Sequence, residues 1–273
     1  MRDTPATSYS NPAAYERFMG RWSERLTHSF LRFTEVQERQ HVLDVGCGTG
    51  GLSRALVCSR AMVKVTGIDP VSAYVSFARE AVPRRRAQFQ VGTAESLPFR
   101  DGAFDAALAL LVLQDFIDPR KAVCEMARVT RPGGVVATCQ WDFQDGLPML
   151  SLFWQAAEAV APDAVFRQRG QHPPAQVATP NDLQALWRSC GLSHIKMATL
   201  ELSMEFSSFN DYWQPFLEGS TPTSAFAAAV NTQTGGALAR VLRDKLSRVQ
   251  PDGPFVLPAR AWAVKGTACS PRV

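Results

Sequence analysis

The chain has 273 residues, 46% of them hydrophobic and 20% charged, with a net charge of +4. This is enough for one large α/β domain, alone or with a smaller cap, and the slight charge without a basic stripe argues against a nucleic-acid partner. The six cysteines show no C-x-x-C or metal spacing, so they read as reduced thiols and mark no metal site. No apolar signal region opens the chain, and no stretch approaches about eighteen uninterrupted apolar residues. A cytoplasmic protein without a membrane span is expected.

Residues 1–13 are polar. From Ala14 to Phe33, Tyr15, Phe18, Met19, Trp22, Leu26 and Phe30 recur three or four apart, which predicts an amphipathic helix. This helix packs on the main domain and can serve as a lid. The run His41–Val45 then predicts a strand, followed by the glycine turn Gly46-Cys47-Gly48-Thr49-Gly50-Gly51 and a helix to about Cys58. Strand, tight turn and helix form the first unit of a nucleotide-binding α/β sheet. The glycines fit both G-x-G-x-x-G and G-x-G-x-G, so the pattern alone leaves the ligand open. Asp44 narrows it. A carboxylate inside a buried strand is costly without a partner, and a ligand ammonium would be one. S-adenosylmethionine carries such a group on its methionyl end, whereas NAD has none near its pyrophosphate. No Lys-Ser/Thr pair follows the turn, which argues against a P-loop.

Lys64–Ile68 is the second strand, and it ends at Asp69-Pro70. Ligands bind at the carboxyl ends of strands in open α/β sheets, and a carboxylate there can accept both ribose hydroxyls. Asp69 could alternatively cap the helix Ser72–Ala81, as could Ser72. Arg84-Arg85-Arg86 reads as a solvated helix end. Gln88–Val91 is the third strand. Phe104-Asp105 opens the fourth, whose unbroken apolar run Ala106–Leu113 requires cover on both faces and ends at Gln114. Asp105 is expected to order its turn. A helix with proline in its first turn, Arg120–Val129, and a fifth strand, Val135–Gln140, follow. Asn181-Asp182 caps a helix Leu183–Cys190 that Gly191 terminates. Ile195–Leu202 and Arg260–Lys265 predict strands six and seven, and Ser207 to about Val249 is helical.

Val42–Gly50, VLDVGCGTG, resembles the first motif of class I S-adenosylmethionine-dependent methyltransferases. Gly92–Asp105 resembles G-D-A-E-x-L-P-F-x-D-x-x-F-D of the branch containing ubiquinone/menaquinone-biosynthesis-type enzymes (methyltransferase type 11), and R-x-x-R-P-G-G at Arg128–Gly134 agrees. The resemblance spans His41 to about Trp141. It implies a doubly wound, mostly parallel, seven-stranded α/β sheet of Rossmann-like form with helical cap insertions. The core would be 36–142, 181–206 and 259–273, with a lid helix in 1–35 and a substrate cap in 143–180 and 207–258. It implies S-adenosyl-L-methionine as cofactor, held by Asp44, Gly46, Cys47, Gly48, Gly50, Asp69, Pro70, Thr93, Ala94, Glu95, Leu111 and Gln114. Tyr15 and Arg21 of the lid would reach the methionyl carboxylate. Two positions depart from the family: Thr93 replaces the aspartate that accepts the adenine amino group, and Val71 replaces a serine.

The function implied is methyl transfer to O, N or C of a small molecule, apolar or aromatic given the cap's composition; a homodimer is compatible with it. The other readings are a non-catalytic S-adenosylmethionine- or nucleotide-binding module and an NAD-dependent oxidoreductase. The sulfonium is already activated, so alignment and exclusion of water carry most of the catalysis. No catalytic residue is assigned. His28, His172 and His194 are the histidines that could act as base, and Gln114 can only position.

Overall fold

The computed structural model describes residues 11–59, 62–171, 176–219, 221–249 and 253–269. His172 lies outside them.

The helical N-terminal segment runs through α1 (Pro12–Tyr15), a π-helical turn Glu16–Gly20, and α2 (Arg21–Thr34). Asn11 caps it, its side chain accepting from the N–H of Ala14. The expected stripe is its buried face: Phe18, Trp22, Leu26 and Phe30 are all under 3% exposed. The π turn was not legible in the spacing, because it shifts the face by one residue without altering the apolar period.

Five strands and three helices build the core: β1 (His41–Val45), α3 (Gly51–Ser59), β2 (Lys64–Asp69), α4 (Ser72–Ala81), β3 (Ala87–Val91), β4 (Phe104–Leu110), α5 (Pro119–Val129) and β5 (Thr130–Trp141). The chain continues through α6 (Pro148–Val160), α7 (Pro162–Gln171), α8 (Pro180–Ser189), β6 (Ser193–Phe206), α9 (Phe209–Leu217), α10 (Pro222–Gln233), α11 (Ala237–Val249) and β7 (Phe255–Thr267). The seven strands form one sheet in the order β3-β2-β1-β4-β5-β7-β6. β1 to β5 pair in parallel, and β7 inserts antiparallel to both neighbours. The order reverses between β1 and β4, so the carboxyl ends of β1, β2, β4 and β5 open a crevice at one sheet edge.

Several local expectations are corrected. The fourth strand stops at Leu110 rather than Gln114, because Leu111 turns into the left-handed region (φ 58°) and Leu113–Asp115 form a 3-10 turn. Ser72 does not cap α4; Val71 occupies the cap, and the carboxylate of Asp69 accepts from its N–H at 2.9 Å. The eighth helix begins at Pro180 under a reciprocal box of Thr179 with Asp182, since the threonine hydroxyl reaches the third helical N–H better placed than Asn181. β6 and β7 are longer than their alternation suggested. Leu202–Phe206 pairs with Phe255–Ala259, past the last β5 pair, Trp141 with Ala261. This two-stranded ribbon extends beyond the carboxyl end of β5, and its Phe206 packs on Trp22 (5.1 Å between ring centroids) and on Phe255 (5.1 Å).

The cysteine reading holds for Cys47 and Cys139, which are buried in the core, and fails for Cys124 and Cys190. Those two form a disulfide between α5 and the end of α8, with Cα atoms 4.9 Å apart. Their separation of 66 residues hides a proximity that the packing of α5 on α8 creates.

Candidate functional site

At the end of β1 the chain reverses through Gly46 (φ 67°), where a Cβ would lie 2.6 Å from the Val112 side chain. Only glycine permits both that dihedral and that approach. The turn is fastened to β2, since the N–H groups of Gly46 and Cys47 both donate to the carbonyl of Ile68 (2.8 and 3.0 Å). At the end of β2, Asp69 is 6% exposed and its second oxygen accepts from the N–H of Gly48 at 2.9 Å. Burial pushes its carboxyl above the ordinary range, opposed by the two backbone hydrogen bonds. Each oxygen keeps a lone pair for a ligand hydroxyl.

Asp44 is sealed inside the sheet at 1% exposure, where its Oδ2 accepts from the hydroxyl of Ser53 at 2.6 Å. Burial raises its pKa to about 7, partly countered by Ser53. Cys47 is 6% exposed and burial raises its thiol, so it acts as wall rather than nucleophile.

The N-terminal helical segment packs against this turn. Tyr15 stacks obliquely on Tyr74 of α4 (5.6 Å between centroids), and the Tyr74 ring edge is the nearest group to a Cβ built on Gly48, at 3.9 Å. Burial raises the Tyr15 phenol to about 12, assisted by the charges of Asp115, Glu16 and Asp69. The Tyr74 phenol is raised in the same way. Both are therefore neutral hydrogen-bonding groups near neutral pH. Glu16 accepts from the Thr49 hydroxyl at 2.5 Å, tying the N-terminal helical segment to the glycine turn.

Past β4, the left-handed Leu111 is held by its N–H on the Cys139 carbonyl (2.7 Å) and by its own carbonyl, which receives the Gln114 amide at 2.7 Å. That amide also donates to Asp115 at 2.9 Å, while the Gln114 Oε1 is buried without a hydrogen-bond partner among the described residues. A strained non-glycine residue beside an orphaned acceptor at a strand end is typical of a functional edge.

The structure thus brings together Tyr15, Gly46, Cys47, Gly48, Gly50 and Asp69, with the Leu111–Gln114 bend against Gly46 through Val112. Pro70 follows Asp69 at the surface, and the loop bearing Thr93 and Ala94 is pinned there by the Gly92 N–H on the Asp69 carbonyl (3.1 Å). Two expected ligands are engaged elsewhere. Arg21 bonds Asp211 of α9 (2.7 Å) and lies over the Trp22 and Phe206 rings, because the helix face it occupies meets the cap. Glu95 accepts from the N–H groups of Ile117 and Asp118 (2.9 and 3.5 Å), where it shapes the loop after β4. Glu16, Tyr74, Thr49 and Asp115 went unnoticed in the sequence, because nothing in their spacing links helices that are joined only by packing.

Among the described residues no histidine stands at this edge. His41 opens β1 and His194 follows the first residue of β6, both at the opposite ends of their strands, while His28 is exposed on α2. The aromatics of α6 and α9 mostly pack on one another: Phe153, Tyr212 and Phe216 are fully buried, with Phe153 stacked on Phe216 and Tyr212 tilted against it.

A methyltransferase domain model matches residues 43–138, which is the stretch from β1 to β5. The O-methyltransferase resE of Aspergillus sclerotiorum is 30% identical over 203 residues, covering 72% of this chain and 69% of that protein. The chain belongs to the class I S-adenosylmethionine-dependent methyltransferases. Demethylmenaquinone methyltransferase of Renibacterium salmoninarum is 30% identical over 149 residues, covering 54% of this chain and 60% of that protein. Across the curated relatives it matches, the chain spans between 41% and 75% of their length. In fold it is similar to phosphoethanolamine N-methyltransferase 2 of Haemonchus contortus in complex with S-adenosyl-L-methionine (TM-score 0.60, 16% identity, 98% of this chain and 59% of that one). The Rossmann-like methyltransferase fold expected from the motifs is therefore the fold of the chain.

Proposed function

We propose that this methyltransferase moves a methyl group from S-adenosyl-L-methionine to O, N or C of a small-molecule acceptor. The observation that carries the reading is the seating of Asp69 against the Gly48 N–H, at the crevice where the strand order reverses. A buried carboxylate beside a glycine turn suits an adenosyl ribose on backbone. In this reading Asp69 receives the ribose hydroxyls, Gly46–Gly50 lie under the methionyl end, and Thr93 with Ala94 border the adenine. Tyr15 closes the lid, while Leu111 and Gln114 face the methyl. The cofactor supplies a methyl group already activated by positive sulfur; the chain's own residues bind, orient and exclude water.

The reading assigns no general base. An apolar or planar acceptor is supported by Ile117 and Phe143, exposed 60% and 48%, just beyond the ends of β4 and β5. Among the described residues no helix is long and apolar enough to cross a membrane. Calorimetric titration with S-adenosylmethionine, S-adenosylhomocysteine and NAD tests the proposal. Saturable binding of the two sulfur ligands, lost in Asp69→Ala, is expected; binding of NAD alone overturns it.

A further inference from the structure

The carboxylate predicted to meet the cofactor's amino group, Asp44, is sealed inside the sheet at 1% exposure, where its Oδ2 accepts from the Ser53 hydroxyl. Another carboxylate reaches the glycine turn from the lid side. Glu16 accepts from the hydroxyl of Thr49, itself 5% exposed and the middle residue between Gly48 and Gly50. We propose that Glu16, delivered by the π-helical turn of the lid, is the group that recognises the amino group on the cofactor's amino-acid tail. The inference rests on the cofactor reading above and names a residue that neither the sequence motifs nor the family match covers, since the matched stretch begins at residue 43.

Three features of the structure converge on it. Gly20, one turn beyond Glu16, is where a Cβ would lie 2.7 Å from the Glu16 Cδ and 2.8 Å from each carboxylate oxygen. The glycine therefore makes the niche in which the carboxyl group lies folded along the helix. The helix is also widened over these same five residues, Glu16–Gly20, and π turns recur at functional sites because they turn one side chain out of the regular register. Finally, the two arginines nearest Glu16 are engaged by carboxylates at α9 and its end. Arg17 pairs with Glu218 at 2.8 Å and Arg21 with Asp211 at 2.7 Å. The charges that act on the Tyr15–Tyr74 pair are those of Asp69, Glu16 and Asp115, all acidic. A primary ammonium on the ligand would find in Glu16 a charged acceptor, and Thr49 would give up its hydrogen bond to the carboxylate or share it.

The test is calorimetric titration of wild type, Glu16→Gln and Gly20→Ala with two probes. S-adenosylhomocysteine carries the amino-acid tail, while 5′-methylthioadenosine keeps the adenosine and sulfur without it. Glu16→Gln preserves shape and the bond to Thr49, so it should fold as wild type does, which its unfolding temperature checks. A hydrogen bond to a charged partner corresponds to about 10- to 100-fold in affinity. The expected result is that loss for S-adenosylhomocysteine, with 5′-methylthioadenosine unchanged to within about twofold. Gly20→Ala, which keeps the carboxylate but fills its niche, should show the same selective loss. Unchanged S-adenosylhomocysteine binding by Glu16→Gln, or equal weakening of both probes, overturns the role of Glu16 and leaves the cofactor reading standing. A wild type that binds neither probe overturns both.

Discussion

Asp44→Asn is the sharpest probe of how the sheet treats its buried carboxylate. Burial raises the pKa of Asp44 from 3.8 to about 7, the Ser53 hydroxyl opposes that rise, and the charge of Asp69 adds to it. At about 1.4 kcal/mol per tenfold, this difference between folded and unfolded chains corresponds to about 4 kcal/mol. Because the folded value lies above the unfolded one, the folded protein holds the proton longer. Stability that is fully present below about pH 4 is lost as pH rises through about 7. Asparagine has the same shape, still accepts from Ser53 and never ionises, so it escapes that loss. Guanidinium unfolding of both proteins at pH 5, 6, 7 and 8 should show the variant gaining on wild type as pH rises, with a gap approaching about 4 kcal/mol by pH 8. A gap that stays constant over this range would refute the assignment of a buried, neutral-at-rest Asp44. Saturating S-adenosylhomocysteine gives a second reading from the same samples. If Glu16 rather than Asp44 meets the amino group, Asp44→Asn keeps most of its affinity for the ligand.

Gly46→Ala forces a left-handed dihedral on a side-chain-bearing residue and drives its Cβ into Val112, built at 2.6 Å. A loss of about 2–4 kcal/mol in stability and more than about tenfold in S-adenosylhomocysteine affinity is expected; a variant with wild-type unfolding and affinity contradicts it. Thiol titration of the denatured, unreduced protein should count four free thiols of the six cysteines, because Cys124 and Cys190 are joined. A count of six would mean that α5 and α8 are held by packing alone in the conditions of preparation.

The sequence by itself determined the parts whose cause is local. The apolar run of β4 demanded burial on both faces, and the glycines of the first turn demanded a backbone that others cannot adopt. Asp69 was expected at the carboxyl end of its strand and stands there, and Asp105 was expected to order its turn; its carboxylate indeed accepts from the His41 N–H and bonds Arg131 (2.7 and 2.6 Å). The strand-helix alternation and the short motifs from Val42 to Gly134 were therefore enough to give the fold. Tertiary structure decided what depends on faces meeting across the chain. It set the extension of the β6–β7 ribbon, because the alternation of its outer residues pays off only against Trp22 and the cap. It turned Arg21 toward Asp211, since a helix face cannot be assigned a partner from spacing. It sealed Asp44 inside the sheet and joined Cys124 to Cys190. It also set Glu16 against Thr49, 33 residues away, a contact that exists only because the N-terminal helical segment docks through Phe18, Trp22 and Phe30. Periodicity fixes which residues turn inward; which of them meet is fixed by packing.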